Sequence, residues 1–546
     1  MGRIEQLTLP AMLQKSFRDY ADRNSLVFAG EEERTYSELE SEVKRAARHL
    51  KLIGISKGDK VAILSTNMPN WGVAFFAIGV TGAVAVPILP DFHPNEIRNI
   101  LKHAEVSALY VSEGLTNKLL PDEYPDIKII EIENFRLQNA ISDSSAELPD
   151  ADGFVFEDVD EEDLLSIIYT SGTTGKSKGV MLSHKNIVWT AQQSRLLHRV
   201  DANDRFLSVL PLSHTLENTL VLILPVMFGA SVHYLRKPPT APVLLPALKS
   251  VKPTTMLVVP LIIEKIFKGK ILPGINEKWI TRNLYKTAFF RRILHRVAGK
   301  KLEQTFGGQL RFFGIGGAKL DDNVERFLMD AKFPFAIGYG MTESSPLLAG
   351  AVVGKTRYLS TGPAMPGVEL RIADADPLTG EGEIQARGEN VMKGYYKEPE
   401  LTRDTFTQDG WLRTGDRGCF DKDNCVYIKG RIKNMIVGSS GENIYPEEIE
   451  SVINRMEYVL ESLVIQQKGR LVAMVHLNFE ELEKRFRLMR DEAVHLFNEK
   501  TDEILQEIQK KVNEELNKFS QIQQIVLQPV PFEKTPTQKI KRFLYL

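Results

Sequence analysis

The sequence predicts an α/β protein: a large N-terminal part of layered α/β subdomains with a small β-rich subdomain from about residue 362, and then a small α+β C-terminal domain. Three observations predict it. Short apolar, strand-like runs alternate with helical stretches, the βαβ rhythm of a layered fold with mainly parallel sheet. Near Gly362 the texture changes to short segments with frequent glycine. Further on, the compact basic segment Lys429-Gly430-Arg431-Ile432-Lys433-Asn434 reads as a linker into a new strand-loop-helix unit. At 546 residues the chain exceeds one ordinary domain, so more than one core is expected.

The elements follow in order. Ser37-Glu38-Leu39-Glu40 has the spacing of a capping box, and Leu39, Val43, Ala46 and Leu50 recur at helical spacing behind it. Strands are expected at Val61 to Leu64, Ala83 to Ile88, Ala108 to Val111 and Ile127 to Ile132. No charged residue lies between Val61 and Pro90, and Gly72 to Leu89 is long enough to raise the question of a membrane span. Asn67, Pro69, Asn70, Gly79, Gly82 and Pro87 break that run, which reads better as a buried helix, a glycine turn at Gly82 and a core strand. The rhythm continues through Phe206 to Leu210, Ser231 to Leu235 and Thr255 to Val259, and the β-rich part through Val368 to Ile372 and Gly382 to Ala386. Pro446 stands at a first-turn position with Glu447, Glu448 and Glu450 behind it, favourable against the helix dipole. Apolar residues from Leu482 through Ile508 and Val512 to Phe519 predict a long amphipathic helix packed on its own domain.

Composition excludes several classes. With 69 basic against 71 acidic residues, no global field recruits nucleic acid or an anionic membrane. The two cysteines, Cys419 and Cys425, provide neither a disulfide framework nor a four-ligand metal site. That cysteine usage points to a reducing compartment, for which the cytoplasm fits best, and Met1 to Pro10 carries no basic region followed by an apolar core, so no secretory signal is expected.

Chemistry concentrates in a few loops. Tyr169-Thr170-Ser171-Gly172-Thr173-Thr174-Gly175-Lys176-Ser177-Lys178-Gly179 follows the apolar run Leu164, Leu165, Ile167, Ile168: a strand entering a phosphate-holding loop. Gly172 and Gly175 let backbone N–H groups turn toward an anion. The hydroxyls of Thr170, Ser171, Thr173 and Thr174 add neutral donors, and Lys176 and Lys178 add positive charge. The nucleoside-triphosphate P-loop requires a glycine where Thr170 stands, so that motif fails. Gly314-Ile315-Gly316-Gly317-Ala318 and Gly338-Tyr339-Gly340-Met341-Thr342-Glu343-Ser344 each follow a strand-like run, where α/β sheets bind ligands. Trp411-Leu412-Arg413-Thr414-Gly415-Asp416 and the C-terminal Glu533-Lys534-Thr535-Pro536-Thr537-Gln538-Lys539-Ile540-Lys541-Arg542 complete the set. Singly, Asp416 reads as a turn aspartate, Tyr339 as a core aromatic, Glu343 as a helix-start carboxylate, and Arg431 and Lys539 as surface charges.

Jointly and in this order, from about Tyr36 to Arg542, these stretches resemble the adenylate-forming enzymes, the superfamily of acyl-CoA synthetases, firefly luciferase and peptide-synthetase adenylation domains. The resemblance implies an ATP site in which Thr170 to Lys178 cradle phosphates, Gly316, Gly317 and Ala318 line the adenine pocket and Tyr339 with Gly340 faces the base. It implies that Thr342 contacts phosphate, Glu343 holds Mg²⁺, Asp416 binds the ribose with Arg431 as its partner, and Lys539 is the catalytic lysine. Residues 1–430 would form the adenylation domain, 431–434 a hinge about Lys433, and 435–546 a mobile domain presenting the Gly438 to Gly441 loop on the acceptor side. Lys319 departs from the proline often found after Gly-Gly-Ala.

The substrate reading is finer. Thr535 to Arg542, Gly441-Glu442-Asn443 with Pro446, and Pro211-Leu212-Ser213-His214 with Glu217 resemble the long-chain fatty acyl-CoA synthetases, with CoA as co-substrate and His214 on the substrate side; a satisfied core histidine is its other reading. An acyl-carrier-protein ligase, a ligase for a medium-chain or aryl acid, a nucleotide sensor without chemistry and a luciferase-like oxygenase are the rivals, the sensor disfavoured because Lys539, Glu343 and Asp416 are all present. Residues 278–301 are rich in Lys and Arg with Trp279, Phe289 and Phe290 among them. They suit either peripheral membrane contact or a solvated, partly packed helix, and the second is favoured because Arg296 falls on the same helical side as Tyr285 and Phe289.

Overall fold

A computed structural model describes residues 4–119, 124–138, 148–171, 177–437, 443–467, 469–479, 482, 493–535 and 539–546. Two large sheets face each other across a layer of helices. The first, of eight strands, runs in the spatial order 394–395, 177–183, 164–171, 84–88, 60–64, 106–111, 128–131, 136–137. The second, of seven, runs 26–28, 231–234, 205–207, 255–258, 312–315, 335–339, 349–350, parallel except at its last strand. Predicted strands therefore land where expected, within a residue or a few at each end.

The uncharged run resolves into the helix Pro69–Val80, a turn with Gly82 at φ 73° and the strand Val84–Ile88. Eleven of that helix's residues are buried, Trp71, Phe75 and Phe76 among them, because it lies between both sheets. Two glycines allow the close approach. A Cβ on Gly72 would sit 2.5 Å from Leu26 of the seven-stranded sheet, and one on Gly79 would sit 2.3 Å from Leu9 and 3.0 Å from Leu165 of the eight-stranded sheet. Twelve residues rise only about 18 Å, against about 30 Å of bilayer core. Among the described residues no helix is long and apolar enough to cross a membrane.

One boundary differs from expectation. The capping box of the helix Tyr36–Leu52 is made by Thr35 and Glu38, not by Ser37 and Glu40. Thr35 takes the extended N-cap conformation and Tyr36 is drawn into the core, where its hydroxyl donates to Ala230 O, so the helix starts earlier than the serine spacing suggests.

The β-rich part is a five-stranded sheet in the order 362–363, 425–431, 412–420, 382–387, 369–373. Strand Cys425–Arg431 runs through the start of the basic segment, and a single 3₁₀ turn, Ile432–Asn434, leads onward. The remainder has its own core, with Ile449, Ile453, Val475, Leu482, Ile508 and Val512 enclosed between the helices Pro446–Ile453 and Ala493–Glu515 and a three-stranded sheet. Pro446 occupies a first-turn position there, as its sequence context predicts.

Candidate active site

Parallel strands of the seven-stranded sheet end side by side, and their last residues form one wall of a cleft. Gly316 donates to Val258 O at 3.2 Å, and Gly317, at φ 86°, turns the chain away toward the exposed Ala318. A Cβ on Gly316 would meet Gly338 O at 3.6 Å and Leu216 at 3.8 Å, so the glycine loop lies against the strand end carrying Tyr339 and the segment carrying His214. Gly340 has no room at all: a Cβ would stand 1.8 Å from Pro346 O. Thr342 is buried in the 3₁₀ turn Thr342–Ser344 that follows.

The five-stranded sheet supplies the facing group. Asp416 and Arg431 are directly paired positions of neighbouring strands, and Arg431 Nε lies 2.8 Å from Asp416 Oδ1. The Tyr339 hydroxyl donates to the other carboxylate oxygen at 2.7 Å, and Arg431 also donates to Thr414 O at 3.2 Å. Burial pushes the Asp416 pKa up, opposed by Arg431 and the tyrosine bond. The carboxylate is thus fixed in orientation, with acceptor capacity left for further donors.

A second cluster adjoins the first. Lys178 lies over the Tyr395 ring, 5.1 Å from its centroid, and the Tyr395 hydroxyl donates to Glu343 Oε1 at 2.8 Å. Burial, then the charge of Lys433, lowers the Lys178 pKa, while Glu343 and Glu398 oppose. Lys178 and Tyr395 meet because strand 394–395 pairs with strand 177–183, Tyr395 opposite Val180. Sequence reasoning passed over Tyr395; Gly394-Tyr395-Tyr396 carries no motif, and only the sheet pairing brings it to Glu343.

Lys539 comes to the same cleft from the C-terminal part. Burial lowers its pKa, Arg431 adds to the lowering, and Asp416 and Glu343 raise it. Its charge also reaches His214. By solvent accessibility Lys539 is exposed and His214 half-buried, although protein surrounds both, as it does for side chains in an open cleft. The lysine rides on a short hairpin closed by the Lys534–Ile540 bridge, with Thr535 N–H donating to Lys539 O at 2.7 Å. Two ion pairs tie that hairpin to its domain, Lys534 with Glu461 and Arg542 with the buried Glu450, which also accepts from Val464 N at 2.7 Å.

Cross-links hold the C-terminal part in this position. Lys268 donates to Asn454 O at 2.7 Å, Arg455 faces Asp322 at 3.8 Å, and Lys319, the departure noted in the sequence, donates to Ser451 at 3.4 Å.

His214 precedes the short helix Thr215–Glu217, and its Nδ1 accepts from Leu216 N–H at 3.3 Å. Desolvation drops its pKa to about 4, so the ring is neutral with its proton on Nε2. Behind it Glu217 is buried, and its Oε1 accepts from Ser208 Oγ at 2.7 Å and Val209 N at 3.1 Å. Burial raises its pKa to about 8, so it is mostly protonated at neutral pH.

The structure thus brings Lys178, Gly316, Gly317, Tyr339, Gly340, Thr342, Glu343, Asp416, Arg431, Lys433 and Lys539 around one cleft, with His214 beside it. Thr170 pairs with Lys178 across the hairpin 164–183. Gly172, Thr173, Thr174, Gly175, Lys176, Gly438 and Gly441 lie outside the described residues, as does the side chain of Ser171.

The fold and cleft have counterparts of known architecture. ATP-bound MatB from Rhodopseudomonas palustris superposes with a TM-score of 0.79 at 24% identity, covering 99% of this chain and 98% of its own. The o-succinylbenzoate CoA synthetase of Bacillus subtilis, bound to its acyl-adenylate, superposes at 0.77 with 22% identity and 98% coverage of both chains. The architecture is that of the adenylate-forming enzymes. In sequence, the AMP-binding enzyme family matches residues 13–396, and the chain belongs to that family. "Long chain acyl-CoA synthetase 3" of Arabidopsis thaliana is 28% identical over 93% of this chain and 84% of its own length. A Rhodococcus jostii CoA ligase named for a bicyclic dioxo-indenyl propanoyl substrate is 31% identical over 84% and 85%. A chloroplastic long-chain-fatty-acid–[acyl-carrier-protein] ligase of Arabidopsis is 27% identical over 98% and 85%.

Proposed function

We propose that this AMP-forming acyl-CoA ligase activates a long-chain fatty acid to acyl-AMP, releasing pyrophosphate, and then transfers the acyl group to CoA, releasing AMP. One observation carries the reading: a lysine seven residues before the last residue of the chain, Lys539, stands among Asp416, Glu343 and Arg431 of the large N-terminal part.

A carboxylate resists a thiol because it is already anionic and would have to expel oxide. Its attack on the α-phosphorus of ATP turns one oxygen into part of a good leaving group. The protein's work is to hold anions together and offset their charge. In this reading Lys178 and the 170–176 stretch hold phosphates, Tyr339 and the Gly316–Ala318 loop face the adenine, and Asp416, oriented by Arg431 and the Tyr339 hydroxyl, accepts the ribose hydroxyls. Thr342 donates to phosphate, and Lys539 neutralises the charge gathered at the α-phosphoryl group.

Mg²⁺ fits the residues present. Among the described residues no three or more acidic, histidine or cysteine side chains are grouped so as to hold a metal ion by themselves, but Glu343 offers one hard carboxylate at the phosphate end, and Mg²⁺ is commonly held by one carboxylate with substrate phosphates and water. When bound it supplies charge neutralisation on the phosphates.

For the second step the C-terminal domain, 435–546, turns about Lys433 in the 431–434 hinge, withdrawing Lys539 and presenting the Gly438–Gly441 loop on the thiol side. The long-chain assignment is supported by the Thr535–Arg542 and Pro211–His214 stretches and by the Arabidopsis synthetase. A carrier-protein acceptor is the second reading, favoured by the chloroplastic relative's printed name. Pyrophosphate release across a panel of free fatty acids and aryl acids, followed by CoA or acyl carrier protein, tests both. Release with long saturated acids and transfer to CoA is expected; release only with aryl or short acids overturns the substrate, and transfer only to carrier protein overturns the acceptor.

A further inference from the structure

Six exposed large apolar side chains fall within nineteen residues: Trp279 (71% exposed), Ile280, Phe289 (67%), Phe290, Ile293 and Val297 (67%). They stand on two consecutive helices, Trp279–Tyr285 and Ala288–Thr305. The second helix has two apolar sides. One packs inward: His295, Gly299 and Leu302 are buried, a Cβ on Gly299 would lie 2.4 Å from the Ala331 side chain, and His295 bonds Asp330 and Tyr285. The other side, at about 100° per residue, carries Phe289, Ile293, Val297 and Phe290 along its middle with Lys300 among them, Arg292 and Arg296 on one flank and Lys301 on the other. Arg296 sharing a side with Phe289 is therefore no defect of amphipathicity, because that whole side faces outward.

Most of the charge fits the same side, the exception on the second helix being Arg291, which is half-buried with its Nε enclosed. Residues 278–301 contain eight Lys and Arg and no Asp or Glu, in a chain whose formal net charge is −2. Among the described residues, Arg292 alone of these eight has a carboxylate partner, Asp330 at 3.6 Å. A second copy of the chain would bring this cationic surface against itself in a two-fold contact, which like charges oppose. A folded acidic protein would need a pocket for each protruding ring. A fluid, anionic lipid interface needs none, accepts isolated aromatic and aliphatic side chains at its acyl boundary, and attracts each cation at its surface.

We propose that the helices Trp279–Tyr285 and Ala288–Thr305 form a peripheral docking surface for anionic membranes, the apolar side chains entering the interface and the cations meeting lipid headgroups. The surface is independent of which acid the enzyme activates.

Flotation of the full-length protein with phosphatidylglycerol-rich vesicles against pure phosphatidylcholine vesicles tests it, with two variants outside the cleft: Trp279→Ser with Phe289→Ser, and Arg296→Gln with Lys300→Gln and Lys301→Gln. At about fivefold per surface cation, the charge variant is expected to bind anionic vesicles about a hundredfold more weakly, and added salt is expected to release the parent protein. The apolar variant is expected to lose binding at all salt concentrations. Failure of the parent to float with anionic vesicles, equal flotation of parent and both variants, or a parent dimer that becomes monomeric in the apolar variant without any lipid effect would each overturn the proposal.

Discussion

Replacing Lys539 with alanine is expected to separate the two half-reactions. Around this amine the structure places Arg431, Asp416 and Glu343, so the cleft without nucleotide has two cations facing two carboxylates at its centre. Adding a polyphosphate and the substrate carboxylate makes the balance strongly negative, and one cation of the pair is lost in the variant. A unit charge about 4 Å away in an effective dielectric of about 20 is worth about 4 kcal/mol, or roughly a thousandfold in rate. Acyl-AMP formation, followed as acid-dependent pyrophosphate release, should fall by about that factor. Thioester formation from supplied acyl-AMP and CoA should change by no more than about threefold, because the proposed rotation about Lys433 withdraws Lys539 for that step. Stability supplies the control. Burial and Arg431 hold the amine below the usual lysine range, so its charged form is disfavoured on folding; that penalty is present below the lowered folded value and disappears above the unfolded one. Lys539→Ala should accordingly keep the parent melting temperature or exceed it. The parent should lose adenylation as pH rises through the lowered lysine value, while the residual activity of Lys539→Arg, whose side chain does not titrate there, should lack that alkaline limb. Equal loss in both half-reactions with the fold intact would refute the reasoning.

Three further substitutions probe the frame around the lysine. Glu217 has its pKa raised to about 8 by burial, so its contribution to stability is full below the unfolded value near 4.5 and declines as pH rises toward 8; unfolding free energies of Glu217→Gln from urea titration should gain on the parent's between pH 5 and 8, by a few kcal/mol at the top, and parallel curves would contradict this. Arg542→Ala leaves Glu450 buried without its cation and frees the lysine hairpin, so it should cost about 3–5 kcal/mol in the C-terminal domain; Arg542→Lys should restore stability more than adenylation, because a lysine keeps the charge but not the two-sided contact with Glu450 and Val464 O. Gly340→Ala forces a Cβ onto Pro346 O, 1.8 Å away, and should cost more than about 3 kcal/mol or prevent folding, measurable as loss of cooperative melting; a normally stable, active variant would show that the turn relaxes.

Local features explain what was legible in the sequence. Strands such as Val84–Ile88 and Phe335–Tyr339 announce themselves by apolar content and by a neighbouring glycine, Gly82 before the first and Gly340 after the second, because burial on both faces demands the apolar run and a turn or close approach demands the glycine. The glycine loops and Asp416 are legible for the same reason: backbone approach and fixed acceptors restrict residue type at one position. Pair relations across the chain were not legible. Tyr395 reaches Glu343 from 52 residues away through a two-residue strand, and the Tyr339 hydroxyl reaches Asp416 across 77, both set by how two sheets pack and neither leaving a periodic trace. The helix cap at Thr35 was missed because Ser37 also satisfies the local spacing, and the choice was made by Tyr36 finding Ala230 O, 194 residues on. Arg542 stands in a motif, but its partner Glu450, 92 residues earlier, reads in sequence as one more carboxylate in a helix's first turns. Only its burial turns that carboxylate into the anchor of the lysine hairpin, which is why the sequence could name the lysine and not what aims it.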